Sequence, residues 1–307
     1  MKNFLPVTLI ISTFLTLLAS CGEIETKINV TDEEGKAVEG AEVKIFFQDY
    51  QSRNDVIVTK STNEDGLALA LGKANASIKI IISRSGFYTS EIKELDHSKN
   101  VDLSVKLRPI GESIPLYAKK IVAVIPRLDE QVGFDLEKAD WIQPYGVGIS
   151  NDLFVLAKKT YQDVQNYHTE VDIIFVNELE GLLEDENISF HSEFKSTRLA
   201  PLKGYEKSWK FVATKKSKTG YQGSTSKRNF IFRTRIQLDQ NNEIERCNYG
   251  KIIDGFGVSR GAAKIDMAPI ITFTYYFNPQ INDRNLEFDP SHNLFENLPR
   301  DEQVLAP

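Results

Sequence analysis

The feature that most narrows the folding options of this 307-residue chain is the rhythm of its apolar runs. They are short, many alternate with a period of two, and they stop at turn residues, while helical periodicity is scarce. Lys27-Ile28-Asn29-Val30 alternates and runs into the turn Thr31-Asp32-Glu33-Glu34-Gly35. Val43–Phe47, Ile78–Ile82 and Val101–Val105 repeat the pattern, with Asn63-Glu64-Asp65-Gly66 as a further tight-turn signal. This spacing predicts an antiparallel, Ig-like sandwich of about seven strands from Ile24 to about Leu107. Beyond it, strands are expected at Lys120–Ile125, Phe154–Ala157, Val171–Val176, Trp209–Ala213, Asn229–Ile236 and Ile270–Phe277, with a hairpin turn at Asp239–Glu243. Only Asn177–Glu186 reads as a short helical turn. The fold class is therefore all-β: a small sandwich (22–108), a linker (109–114) marked by Pro109, Gly111 and Pro115, and a larger sandwich-type domain (115–307).

The first twenty residues stand outside that rhythm. Lys2 precedes an apolar run from Phe4 to Leu18, the layout of a secretory signal and too short for a comfortable membrane span. The ending Leu18-Ala19-Ser20-Cys21 resembles the lipobox of bacterial lipoproteins. The resemblance implies cleavage after Ser20 and acylation of Cys21, hence stable attachment to a membrane through more than one acyl chain. Gly22 in place of Asp points to the outer membrane, facing the periplasm or the exterior. Without residues 1–20 the net charge moves from −6 to −7, because Lys2 leaves with them. A mildly acidic chain without a strong basic cluster excludes nucleic acid as the expected partner. Cys247 is then the remaining thiol, so an internal disulfide is excluded and Cys247 is expected to be a small buried strand residue.

Val30-x-Asp32-x-x-Gly35-x-Ala37-Val38-x-Gly40-Ala41-x-Val43, with Thr62-x-x-Asp65-Gly66 and Ser85-Gly86-Phe87, resembles the carboxypeptidase regulatory-like domain. Ala37 stands where that family usually has proline. The resemblance implies a prealbumin-like sandwich serving as a spacer or accessory module, with no catalytic residues and no carboxypeptidase activity. Gly133-Phe134-Asp135-Leu136, Asp140-Trp141, Pro144-Tyr145-Gly146, Tyr249-Gly250-Lys251-Ile252, Asn278-Pro279, Asn282–Glu287 and Asn293-Leu294-Phe295 resemble a group of secreted bacterial proteins without an assigned activity.

Several chemistries have candidate residues. Gly257-Val258-Ser259-Arg260-Gly261 fits the G-x-S-x-G nucleophile elbow, followed by Asp283 or Asp289 and by His292 in hydrolase order. Its flanks give only a short strand, Gly250–Phe256, before the motif and too short a segment after it for a helix, so no catalytic residue is assigned. The histidines His97, His168, His191 and His292 show no metal-ligand spacing, and no metal is assigned. Asp283-x-Asn285-x-Glu287-x-Asp289 places oxygens at alternate positions, as a calcium loop would, but lacks the glycine and closing glutamate of that loop. The alternative role for these residues is to hold an irregular C-terminal segment against the sheet, and no cofactor is expected beyond such a structural calcium ion.

Lys215-Lys216-x-Lys218 and Lys227-Arg228 flank a loop that offers Tyr221 to a polyanion, or else form a solvated hairpin tip. Trp141 and Tyr145 offer an aromatic platform for a sugar ring, or else belong to the core. The function expected from all this is a lipid-anchored envelope protein with a non-catalytic binding or structural role. Its partner would be a glycan or an envelope protein, and the alternative is a secreted serine or metal-dependent hydrolase.

Overall fold

A computed structural model describes residues 23–49, 55–96, 98–186, 191–218, 220–223, 228–259 and 268–307. Cys21, His97, Lys227 and the Arg260-Gly261 half of the elbow motif lie outside them. The described residues carry eighteen strands and a single turn of 3-10 helix, Pro290–His292, so the all-β class holds. They fall into two compact units, one running to Ile82 and resuming at Ile92–Lys106, the other made of Ser83–Glu91 and Leu107–Pro307.

The smaller unit has the seven strands expected: β1 Ile24–Thr31, β2 Glu42–Phe47, β3 Val56–Ser61, β4 Leu67–Gly72, β5 Ser77–Ser83, β6 Ser90–Asp96 and β7 Val101–Lys106. They make a three-stranded sheet in the order β4-β1-β7 and a four-stranded sheet in the order β3-β2-β5-β6. β1 pairs antiparallel with β4 and parallel with β7. Alternation does the work, because Ile28, Val30, Val43, Ile45, Phe47, Ile78, Ile80 and Ile82 are all buried while their strand neighbours are not. Gly66 is held at φ +75 in the Asn63 turn, and a Cβ there would run into the Val30 carbonyl. Thr62 ties the crossing chain, with its hydroxyl accepting from Ala41 N at 2.8 Å and donating to Val38 O at 2.6 Å.

The larger unit packs two antiparallel sheets face to face. One is six-stranded, β10-β9-β11-β12-β14-β15, built from β9 Gln131–Asp135, β10 Asp140–Trp141, β11 Leu153–Asp163, β12 Asn166–Ile174, β14 Ser208–Lys216 and β15 Gly220–Gly223. The other is five-stranded, β13-β16-β17-β18-β8, built from β8 Tyr117–Val124, β13 Gly181–Glu184, β16 Phe230–Leu238, β17 Ile244–Ser259 and β18 Ile270–Asn278. Val155, Val171, Ile173 and Phe211 of the first sheet meet Phe230, Phe232, Ile252, Phe273 and Phe277 of the second in one core.

The five-stranded sheet is covered on its other face too. Ala200 and Leu286 pack on Ile231, Cys247 and Tyr249 there, and Phe288 and Val304 pack on Ile253, Tyr276 and Ala118. Three sequence expectations change in this unit. β17 is sixteen residues long where only a short strand was expected, since burial of both faces erases the alternation that marks a strand. Asn177–Glu186 is not helical: Glu180 turns back on Asn177 N at 3.0 Å, and Gly181–Glu184 pairs with β16. The expected linker is likewise part of the larger unit, as Ile110 N bonds Gly86 O and Ile114 N bonds Glu287 O, each at 2.8 Å.

Two charged side chains stand out in this unit, one half-buried and one fully buried. Arg235 sits at an irregularity of β16 with φ +57, a conformation that re-aims its side chain. Its guanidinium takes Asp152 with both arms, Nε to Oδ1 at 2.7 Å and Nη2 to Oδ2 at 3.0 Å, and Glu137 with Nη1 at 2.7 Å. Lys251 is fully buried on the covered face of β17, with its ammonium 4.4 Å from the Tyr276 ring centre and 4.7 Å from that of Phe194. It has no hydrogen-bond partner among the described residues.

Candidate ligand site at the tip of the six-stranded sheet

The β11–β12 and β14–β15 hairpins reach beyond the core layers and lie side by side. Asp163 shapes the first turn by accepting from Gln165 N at 2.7 Å and from Asn166 Nδ2. The Asn166 amide and that backbone donor hold its carboxyl below the usual range. Asn166 Oδ1 in turn accepts from Ser217 N at 3.2 Å and Ser217 Oγ at 3.0 Å, which fastens the second hairpin tip to the first.

Register then lays out two rows of side chains. On the outer face Thr160, His168, Thr214 and Gln222 stand opposite one another across four strands. His168 Nδ1 lies 2.6 Å from Thr214 Oγ1. On the opposite face, past the last core residues, the corresponding row is Tyr161, Tyr167, Lys215 and Tyr221.

An open pocket of about 640 Å³ lies at this tip, lined by Thr160, Gln162, Asn166, Tyr167, His168, Lys215, Lys216, Ser217 and Lys218. Its three lysines make no ion pair among the described residues. The nearby Lys210 differs, because Glu170 takes it at 2.6 Å. The tip therefore presents unneutralised cations around a hollow wide enough for a ligand, beside hydroxyl, amide and imidazole groups that donate and accept hydrogen bonds.

The other sequence candidates are placed as follows. Trp141 is 6 % exposed and packs edge-on against Phe134 at 5.1 Å, so its indole is a core group with no open face. Tyr145 is on the surface beneath Arg127, whose Nε donates to its hydroxyl at 3.3 Å. The loop carrying both is stapled by carboxylates. Asp140 accepts from Trp141 N and Val147 N, and Asp135 accepts from four backbone amides. Burial pushes the Asp135 carboxyl up, yet those backbone donors outweigh it and hold it below the usual range.

Asp283, Asn285 and Asp289 do not converge, because each turns back on its own backbone. Asp283 accepts from Asn285 N at 3.0 Å, Asn285 from Glu287 N at 2.9 Å, and Asp289 from Ser291 N at 2.9 Å. Glu287 is buried instead, where it accepts from Tyr88 Oη and Gly111 N at 2.6 Å each and pairs with Arg198. Among the described residues no group of three or more His, Cys, Asp and Glu side chains is arranged to hold a metal ion.

His292 and Asp289 do meet, at 2.6 Å, but as a local cap on the 3-10 turn. Asn293, next in sequence, is fixed to Ala118 on β8, whereas Ser259 pairs with Ile270, which pairs with Val124. Six residues of strand separate those two stations, roughly 20 Å at the usual rise, too far for a Ser-His hydrogen bond.

Sequence reasoning singled out the lysines and Tyr221 but missed Thr160, Asn166, Tyr167 and His168. Those residues carry no local motif, and only strand register brings them to the same place. No protein-family model matches the chain, and no curated protein matches it. Among solved structures it is similar to a streptococcal ancillary pilin, at 12 % identity and TM-score 0.21 over 82 % of this chain. The chain spans only 58 % of that pilin's length. It is also similar to a candidate carbohydrate-binding protein from Bacteroides uniformis, at 9 % identity and TM-score 0.20, over 85 % of this chain and 98 % of that one. Likenesses this distant do not bear on what the chain binds or does.

Proposed function

We propose that the larger unit is a non-catalytic recognition module and that the tip pocket takes an anionic ligand, an acidic glycan of the envelope or its surroundings. The observation that carries this reading is the set of lysines without an ion pair among the described residues, Lys215, Lys216 and Lys218, around one open hollow. Charge complementarity of this kind favours encounter and orientation of a polyanion, and it weakens as salt is added. Replacing Lys216 and Lys218 together by alanine in the full chain should weaken binding of polygalacturonate about tenfold, since exposed charge contacts contribute about 0.2–1 kcal/mol each. The salt dependence of binding should flatten with it. Calorimetric titration at two salt concentrations measures both, and an unchanged affinity in the double variant would sink the reading.

The smaller unit is read as a spacer between this module and a lipid on Cys21. That anchor predicts incorporation of labelled palmitate into the wild-type chain and none into Cys21→Ser. Equal labelling of the two would remove the anchor from the proposal. The hydrolase alternative gains no support from Ser259, whose distance from His292 is set by strand pairing.

A further inference from the structure

The tip carries a second, different chemistry that continues from the pocket. Tyr161, Tyr167, Lys215 and Tyr221 stand in one register row across β11, β12, β14 and β15. Adjacent strands lie 4.7–4.9 Å apart, so the row extends roughly 14 Å across the strands. Tyr221, on the edge strand, is 60 % exposed and makes no hydrogen bond or ring contact among the described residues. Its ring lies along β15 over Gly223, where a Cβ would run into the phenol oxygen. Glycine at that position lets the ring lie down on the strand and present a face to solvent. At the far end of the row the Lys159 ammonium sits 5.6 Å from the Tyr161 ring centre.

An exposed aromatic ring lying flat offers its electron-rich face to the polarised C–H groups of a pyranose, while its hydroxyl stays wet. Successive rings at strand spacing suit the successive sugars of an extended chain, and Lys215 within the row adds a hydrogen-bond donor. We propose that this row is a stacking platform for the pyranose rings of an oligosaccharide, sharing Tyr167 and Lys215 with the lysine pocket and extending beyond it to Tyr161 and Tyr221. The proposal rests on the reading of the tip as the recognition surface. It goes further by placing sugar rings on the tyrosines, whatever their charge.

The test titrates the full chain by calorimetry with hexagalacturonate and with the neutral hexasaccharides cellohexaose, xylohexaose and mannohexaose. Wild type should bind hexagalacturonate and at least one neutral sugar. Tyr221→Ala should lose at least fivefold in affinity for every sugar bound. Tyr221→Trp should retain it, and Tyr221→Leu, which still covers Gly223, should behave like alanine. Lys216→Ala with Lys218→Ala should weaken hexagalacturonate alone. If Tyr221→Ala stays within twofold of wild type, or if Tyr221→Leu binds as wild type does, the platform is overturned while the lysine reading stands or falls on its own variant. A wild-type chain that binds none of these sugars overturns the platform as well, and heparin binding then decides the fate of the lysine pocket separately.

Discussion

Arg235→Ala is expected to cost the larger unit about 3–5 kcal/mol, the magnitude for removing one partner of a buried ion pair. The Asp152 side chain is fully buried and that of Asp135 nearly so, and the Arg235 guanidinium is the cation that faces both. Burial pushes the Asp152 carboxyl above the usual range even against the opposing pull of Arg235. Without the guanidinium that push meets less opposition, and the protonated form is favoured further. The folded variant then holds a proton that the unfolded chain releases, so its stability falls as pH rises through the carboxylate range. Its deficit against wild type should therefore be widest at neutral pH and narrower near pH 4. Urea denaturation followed by tryptophan fluorescence reports on this unit alone, since Trp141 and Trp209 both lie in it. Arg235→Lys should fall between the two, because an ammonium cannot fork onto Asp152 and also reach Glu137. A loss under about 1 kcal/mol, or a deficit that widens in acid, would contradict this account.

Lys251→Met should act in the opposite direction and stabilise the protein at neutral pH. Burial pulls the Lys251 amine down to about 7 from an ordinary 10.5, with Arg108 adding to the effect and Glu287 and Asp185 opposing it. Between those two values the unfolded chain carries a proton that the folded one lacks. Wild-type stability therefore rises with pH across that window, by up to about 1.4 kcal/mol per pH unit, and the full penalty of about 5 kcal/mol applies below it. Methionine fills a similar volume without the amine, and Glu287 keeps Tyr88, Gly111 and Arg198 as partners. Above pH 10 another effect takes over in both proteins. Burial raises the phenols of Tyr88, Tyr205 and Tyr276, so the folded state retains protons that the unfolded state gives up, and stability falls. Wild type should thus climb from pH 7 towards pH 10, while the methionine variant stays level and higher. Parallel stability curves over that interval would show that Lys251 is not held neutral.

The all-β class and most strands were legible because β1, β2, β5 and β12 each bury one face and wet the other, which writes a period of two into the residues. β17 was not, since chain segments cover both of its faces. The Leu182-Leu183 run imitated a helical turn, yet its backbone groups are satisfied by pairing with β16. At the candidate site, Lys215, Lys216, Lys218 and Tyr221 were visible as composition. Thr160 and His168 were invisible because they become neighbours only through a strand register that no local pattern encodes. Trp141 and Tyr145 looked like one platform because they are close in sequence, but β10 turns the indole inward and leaves the phenol outside. Arg235 gave no signal at all: its left-handed backbone, not its place in an alternating run, decides where its charge goes.

The parallel pairing of the smaller unit's first and last strands has a mechanical consequence. β1 and β7 are matched from Thr26 opposite Val101 to Thr31 opposite Lys106, and they run in the same direction. The chain enters this pair at the start of β1 and leaves it at the end of β7. Tension between those two points slides the strands past each other along their length, so the whole row of hydrogen bonds is loaded at once in shear. A hairpin pulled at its open end yields one bond after another and parts under a smaller force. A tether attached before β1 and a load attached after β7 would meet the resistant direction, and the unit would pass on the pull without lengthening.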